Sequence, residues 1–303
     1  MGFRSRRDHP EPPSRLIKFE AGDGVELSGL LFEPRRRTKR AAIYLHGTGG
    51  ASVFDSRRAV LLAPVFNERG IAWFPFNNRG SYLVRRLSGP KRGMLGGMAH
   101  ERIRDCVHDI DGAVRLMRKR GFTDLHLVGH STGANKIAVY DFYRKRNPVK
   151  SYVLLAGGDD VGLMYDQLGA RRFRAALVKA RERRHSSELA PRNISEMPMS
   201  WRSLYDMINP DGDYNVFPFL EAMGQAKLSR RPLFRHVKGI RKPTIAIFGE
   251  NDEYCFGDVA GCVATLADAV SEQPNFETVV MADADHGFSG REVELGTLIA
   301  DWL

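Results

Sequence analysis

Residues 125–135 read LHLVGHSTGAN: an apolar run enters Gly129, then His130, Ser131 and Thr132 stand before Gly133. A serine between two glycines at the end of a strand is either an ordinary strand-to-helix turn or a device that holds a nucleophile strained and exposed. Three other apolar runs end in residues of complementary chemistry. His46-Gly47-Thr48-Gly49-Gly50 follows residues 40–45, Glu250-Asn251-Asp252 follows 243–249, and Asp283-Ala284-Asp285-His286-Gly287 follows 277–282. A serine hydroxyl attacks well only when a base takes its proton, and His286 is the candidate base. Asp252 is the candidate carboxylate to fix the imidazole, with Glu250 and Glu253 beside it as alternative acids. An oxyanion formed by such an attack needs preorganised N–H donors. The backbone of Thr132, at the start of a helix, is one; the second is expected from the HGTGG loop, at Thr48 or its neighbour Gly49.

These residues need a scaffold that brings strand ends together. Residues 15–21 and 25–32 flank Gly22-Asp23-Gly24 and read as an antiparallel hairpin. Apolar strands are expected at 40–47, 71–76, 125–129, 151–157, 243–249 and 277–282. Helices are expected at 56–69, 132–146, 258–271 and 290–302, and over 98–120, where Ile103, Cys106, Val107, Ile110, Ala113, Val114 and Met117 keep three- and four-residue steps. Strands alternating with helices imply an eight-stranded, mostly parallel sheet with helices on both faces, its second strand antiparallel to its neighbours. Residues 158–242 break the rhythm and are too long for a plain loop. They read as an inserted, mainly helical cap, with helices near 170–184 and 217–227, between core segments 1–157 and 243–303. Trp201, Tyr205, Tyr214, Phe217 and Phe219 form either the core of that cap or the lining of an acyl pocket.

A G-x-S-x-G run between strand and helix, with Ser, Asp and His at successive strand ends in that order, resembles the α/β-hydrolase superfamily over nearly the whole chain. The resemblance implies an α/β-hydrolase fold and a Ser131–Asp252–His286 triad acting through an acyl-enzyme. GHSTG together with the downstream DGDYNVFPF is similar to the branch that includes fungal siderophore-ester hydrolases. A serine esterase acting on a small carboxylic ester is the leading expectation. Thioesterase, lactonase, amidase or acyltransferase chemistry on the same triad is the alternative, and a non-catalytic small-ligand receptor on this fold is the alternative of another class.

Composition narrows the partners. There are 46 Lys and Arg against 36 Asp and Glu, a formal net charge of +10, concentrated in residues 35–40 and 170–187. Without a nucleic-acid-binding signature, this reads as a solvated arginine-rich face rather than a nucleic-acid partner. The arginines near 170–184 nevertheless leave an acidic substrate open, and the aromatic cap an apolar one. No run of 18 apolar residues is present, so no stable membrane insertion is expected. The start, MGFRSRRDHPEPPSR, has no apolar signal stretch, and Arg6 stands where a myristoylation motif needs Ser or Thr. Cys106, Cys255 and Cys262 offer neither a disulfide framework nor metal spacing, which fits a reducing cytoplasm. HGTGGAS fails the dinucleotide fingerprint at Ser52, and neither a phosphate-binding loop nor an HExxH motif occurs, so no cofactor and no metal are expected. A homodimer is the one protein partner left open.

Overall fold

The structure is a computed structural model and describes residues 12–303; the expectations about the extreme N-terminus lie outside the described residues. The first half of the chain forms strands β1 (Arg15–Glu20), β2 (Glu26–Leu31), β3 (Arg40–Leu45), β4 (Ile71–Asn77), β5 (Arg85–Arg86), β6 (Leu95–Gly96) and β7 (Asp124–His130). Between and after them lie helices α1 (Arg57–Glu68), α2 (Cys106–Lys119) and α3 (Thr132–Tyr143). The second half continues with β8 (Ser151–Leu155), α4 (Asp160–Glu182), α5 (Trp201–Ile208), α6 (Phe219–Ala222), β9 (Thr244–Asn251), α7 (Val259–Ala269), β10 (Phe276–Asp285) and α8 (Glu292–Trp302).

Eight strands make one sheet in the order β1-β2-β4-β3-β7-β8-β9-β10. β2 runs antiparallel to both β1 and β4; from β4 to β10 every pairing is parallel. At the edge, β1 alternates, burying Ile17 and Phe19 while Leu16 and Lys18 face water. Central β3 is apolar almost throughout and is covered on both faces. On one face α1 and α8 pack through Leu62, Phe66, Leu295 and Ile299. On the other α2, α3 and α7 pack through Ile110, Ile137 and Leu266.

Helix starts follow local chemistry. The Ser56 hydroxyl accepts from the Ala59 N–H, and the Asp159 and Asp258 carboxylates accept from the N–H groups of Gly162 and Gly261 at 2.7 and 2.8 Å. The expected helix over 98–120 begins later. Met98–Arg102 are non-helical, Ile103–Asp105 form a 3₁₀ turn, and α2 starts at Cys106. The cause is tertiary: Asp206 accepts the Ile103 N–H at 2.7 Å, and Glu101 turns inward to a buried lysine, Lys136.

Between β8 and β9 the expected helix near 170–184 extends back to Asp160, with a bend at Gly169 (φ 71°, ψ 156°). The expected helix at 217–227 shrinks to α6, and α5 adds a helix at 201–208. The aromatic residues of this stretch are core: Trp201, Phe217 and Phe219 are each at most 1% exposed. The β5–β6 ribbon, a two-residue pairing within the β4–α2 connection, leaves no apolar run to read.

Candidate active site

Parallel strands deliver their carboxyl ends to one edge of the sheet, and the residues singled out by type arrive there together. Ser131 leaves β7 and enters α3 with φ 56° and ψ −129°, a conformation that costs a non-glycine residue on the order of 1–3 kcal/mol. The turn fits because its flanks have no side chains. A Cβ on Gly129 would fall on the Gly133 carbonyl, and one on Gly133 would fall on the Leu45 carbonyl of β3. The HGTGG loop lies equally close, since a Cβ on Gly47 would stand 2.8 Å from that of Ser131.

His286 follows β10, and its Nδ1 lies 2.9 and 3.0 Å from the two oxygens of Asp252, which follows β9 and is buried. Glu250 and Glu253 bind backbone instead, accepting the N–H of Asp283 at 3.0 Å and of His286 at 3.1 Å. Arg58 of α1 donates to the Gly287 carbonyl. The Tyr254 ring stands edge-on to the imidazole at 4.6 Å. Ser131 and His286 face one cavity of about 630 Å³, and among the described residues no hydrogen bond yet joins the Ser131 hydroxyl to His286. Such contacts are often open until substrate is bound.

The two histidines of the other strand-end runs, His46 and His130, have settled places. His46 Nδ1 donates to the Gly47 carbonyl at 2.7 Å, and burial, then Lys136, lowers its pKa to about 3. His130 Nε2 donates to the His286 carbonyl at 2.8 Å while its ring lines the cavity, so it both packs the neighbouring loop and faces the pocket. Burial, then the charges of Arg58 and His286, hold His130 well below the usual imidazole range. Both rings are neutral at neutral pH.

No acceptor among the described residues takes a hydrogen bond from the backbone N–H of Thr48, Gly49 or Thr132. Gly49 has φ 80°, and Thr48 and Gly49 line the cavity beside Ser131. Cys255 is buried off the cavity, its carbonyl 3.5 Å from the Cys262 thiol. Among the described residues no group of three His, Cys, Asp or Glu side chains is placed to hold a metal ion.

Other residues of the cavity were not singled out from the sequence. Met98, Met164, Met197, Met199 and Met207 line the cavity, half of the chain's ten methionines. The aromatic residues of 201–219 are absent from that lining. Asp160 also faces the cavity, and its signal was in plain view: Gly157-Gly158-Asp159-Asp160 is a polar cluster ending an apolar strand, like the others.

Comparison with known proteins bears on the fold. The model of the alpha/beta hydrolase family matches residues 42–294. No curated protein matches the chain. Among solved structures, the alpha/beta hydrolase GrgF from Penicillium sp. sh18 superposes with a TM-score of 0.64 at 16% identity, covering 96% of this chain and 97% of that one. A soluble variant of monoglyceride lipase from Saccharomyces cerevisiae, in complex with a substrate analog, gives 0.63 at 14% identity over 100% and 98% of the two chains. Est1E from Butyrivibrio proteoclasticus, with ferulic acid bound, gives 0.59 at 16% identity over 94% and 96%.

Proposed function

The chain belongs to the alpha/beta hydrolase family, and from that premise we propose that it is a serine hydrolase cleaving a carboxylic ester through an acyl-enzyme on Ser131. The observation that carries this reading is one cavity faced by a serine in strained backbone and by a histidine whose Nδ1 is bonded to a buried aspartate. Asp252 holds the imidazole with its proton on Nδ1, leaving Nε2 free to accept. Nε2 takes the proton as Ser131 Oγ bonds to the substrate carbonyl carbon. The oxygen of that carbonyl becomes an anion, and the unengaged N–H groups of Thr132 and of Thr48 or Gly49 receive it. Collapse breaks the bond to the leaving alcohol, which takes the proton from His286. Water then repeats the sequence on the acyl-enzyme and frees the acid.

The stretch between β8 and β9 acts as a cap, since Leu163, Met164, Met197, Met199 and Met207 from it wall the cavity. Unbranched, polarizable methionines fit an apolar acyl or alcohol body of variable shape. No helix among the described residues is long and apolar enough to cross a membrane.

A neutral fluorophosphonate is the test. It should label the wild-type protein on Ser131, located by peptide mass spectrometry. Ser131→Ala should retain the fold, lose the label and lose ester turnover by about 10⁴-fold or more. A folded wild-type protein that takes no label and hydrolyses no ester would overturn the reading.

A further inference from the structure

The chain carries 46 lysines and arginines and a net charge of +10, yet among the described residues no lysine or arginine lines the cavity. Its charged lining is Asp160, Asp166 and Glu253, besides the two histidines. The arginines expected near 170–184 to attract an acidic substrate face elsewhere. Arg172 lines a separate outer groove with Lys179, and Arg183 stacks on Trp201 and pairs with Glu188 at 2.7 Å.

Within this lining Asp160 is the built element. Asn135 of α3 is clamped to Gly158, donating to its carbonyl at 2.8 Å and accepting its N–H at 3.2 Å. That clamp points the Asn135 amide nitrogen at Asp160 Oδ2, 3.3 Å away. Asp160 Oδ1 takes no hydrogen bond from any other described residue. Neighbouring Asp159 differs: its two oxygens accept from the N–H groups of Gly162 and Leu220 at 2.7 and 2.9 Å. Resting on the serine-hydrolase reading of this cavity, we propose that the substrate is an ester carrying an ammonium group on an otherwise apolar body, and that Asp160 selects it.

The electrostatics agree. The charged and titratable groups facing Asp160 are Asp159 beside it, Lys136 on α3, His286 after β10 and the Tyr214 phenol. Lys136 is already paired with Glu101 at 2.6 Å. Burial, then Asp159, pushes Asp160 up to about 7, with His286 and Lys136 offsetting only part. A bound ammonium supplies the missing charge and draws off the carboxyl proton. Preference for a cation therefore grows as pH rises through about 7, as linkage requires. The five methionines take the apolar body.

The experiment compares 2-(trimethylammonio)ethyl butanoate with its uncharged isostere 3,3-dimethylbutyl butanoate. The quaternary nitrogen never titrates, and the ratio of the two kcat/KM values cancels the protonation of His286. In the wild type the ratio should be about tenfold or more above pH 8 and should fall as pH drops below 7. In Asp160→Asn, which keeps the size of the side chain, it should be near one and flat with pH. A wild-type protein that takes fluorophosphonate on Ser131 but hydrolyses the neutral ester equally well overturns the ammonium assignment and leaves the serine-hydrolase reading standing. An Asp160→Asn protein that keeps the wild-type ratio overturns the role of Asp160. If that variant fails to fold, a pH-independent wild-type ratio overturns that role instead. No label and no turnover of either ester overturns both.

Discussion

Asp213 and Asp160 both stand between β8 and β9, and their carboxyls meet opposite surroundings. Asp213 is buried at a hub of four donors from three parts of the chain. Arg104 reaches it at 2.6 Å, Tyr143 at 2.9 Å, Arg235 at 3.1 Å and His236 at 3.2 Å. Asp160, partly buried at the cavity, meets one amide and, among the described residues, no dedicated cation. Burial would raise Asp213, but hydrogen bonds from His236, Arg104 and Tyr143 hold it well below the usual carboxylate range. Burial is left to dominate at Asp160, which sits at about 7. Of the arginines among the described residues, two sit on one carboxylate and none on the other. The first carboxylate fastens the stretch to α3 and the start of α2; the second is left free to meet a ligand.

The largest effect should come from breaking the hub. Asp213→Ala strands Arg104, Arg235, Tyr143 and His236 around a lost anion and should destabilise the fold by about 3–5 kcal/mol in urea unfolding. The pH dependence has a definite sign. A carboxyl whose folded pKa is depressed stabilises above its unfolded pKa of about 3.9, and that stability is lost as pH falls through the lower folded value. The wild type should therefore lose stability on acidification below about pH 4, and the variant should lack that part of the slope. Equal acid slopes would mean that the hub does not hold Asp213 ionised.

Glu101 is the intermediate case, with one cation for one carboxyl. Burial raises its pKa while Lys136 lowers it in part, and both side chains are almost wholly buried. Lys136 also donates to Asn78 at 3.2 Å. Lys136→Met should cost about 3 kcal/mol, because a buried acid is left without its partner. Adding Glu101→Leu should bring stability back to within about 1 kcal/mol of wild type, since two apolar side chains replace the whole pair. Measured free energies that add without recovery would show that the pair is not one unit.

The three carboxyls also mark how far the sequence could be read. The parallel sheet was legible because each central strand is a short apolar run, and the candidate triad because each member follows such a run directly: Ser131 after β7, Asp252 after β9, His286 after β10. The glycines around Ser131 were legible because backbone contact leaves no room for another residue. Asp213 was not, because its donors come from positions 104, 143, 235 and 236 and no local pattern joins them. Met98 was hidden in a periodicity that suggested helix, where tertiary contacts of Glu101 and Ile103 keep α2 from starting before Cys106. The aromatic residues near 201–219 showed apolar density but not its direction. Trp201, Phe217 and Phe219 point into the core, and methionines take the cavity.

The smallest effect has the opposite sign, and it separates an uncompensated carboxyl from a fastened one. Asp160 is held at about 7 in the folded chain and near 4 when unfolded, so between those values the folded chain binds more protons. Its contribution to stability therefore falls as pH rises from about 4 to about 7 and stays low above that. Asn has no such charge to bury and keeps an oxygen for the Asn135 amide. Asp160→Asn should then be more stable than wild type by about 2 kcal/mol at pH 8, with the gain vanishing towards pH 4. Asp159 and Asp206 are also pushed to about 7, chiefly by burial, so each protein keeps some of this slope and the difference between the two curves isolates Asp160. A variant that is less stable at pH 8, or a gain that does not change with pH, would mean that Asp160 already has its compensation in the free protein. A gain that follows the expected curve, alongside a lost preference for the cationic ester, would mean that this carboxyl is kept at the cavity against the interest of the fold.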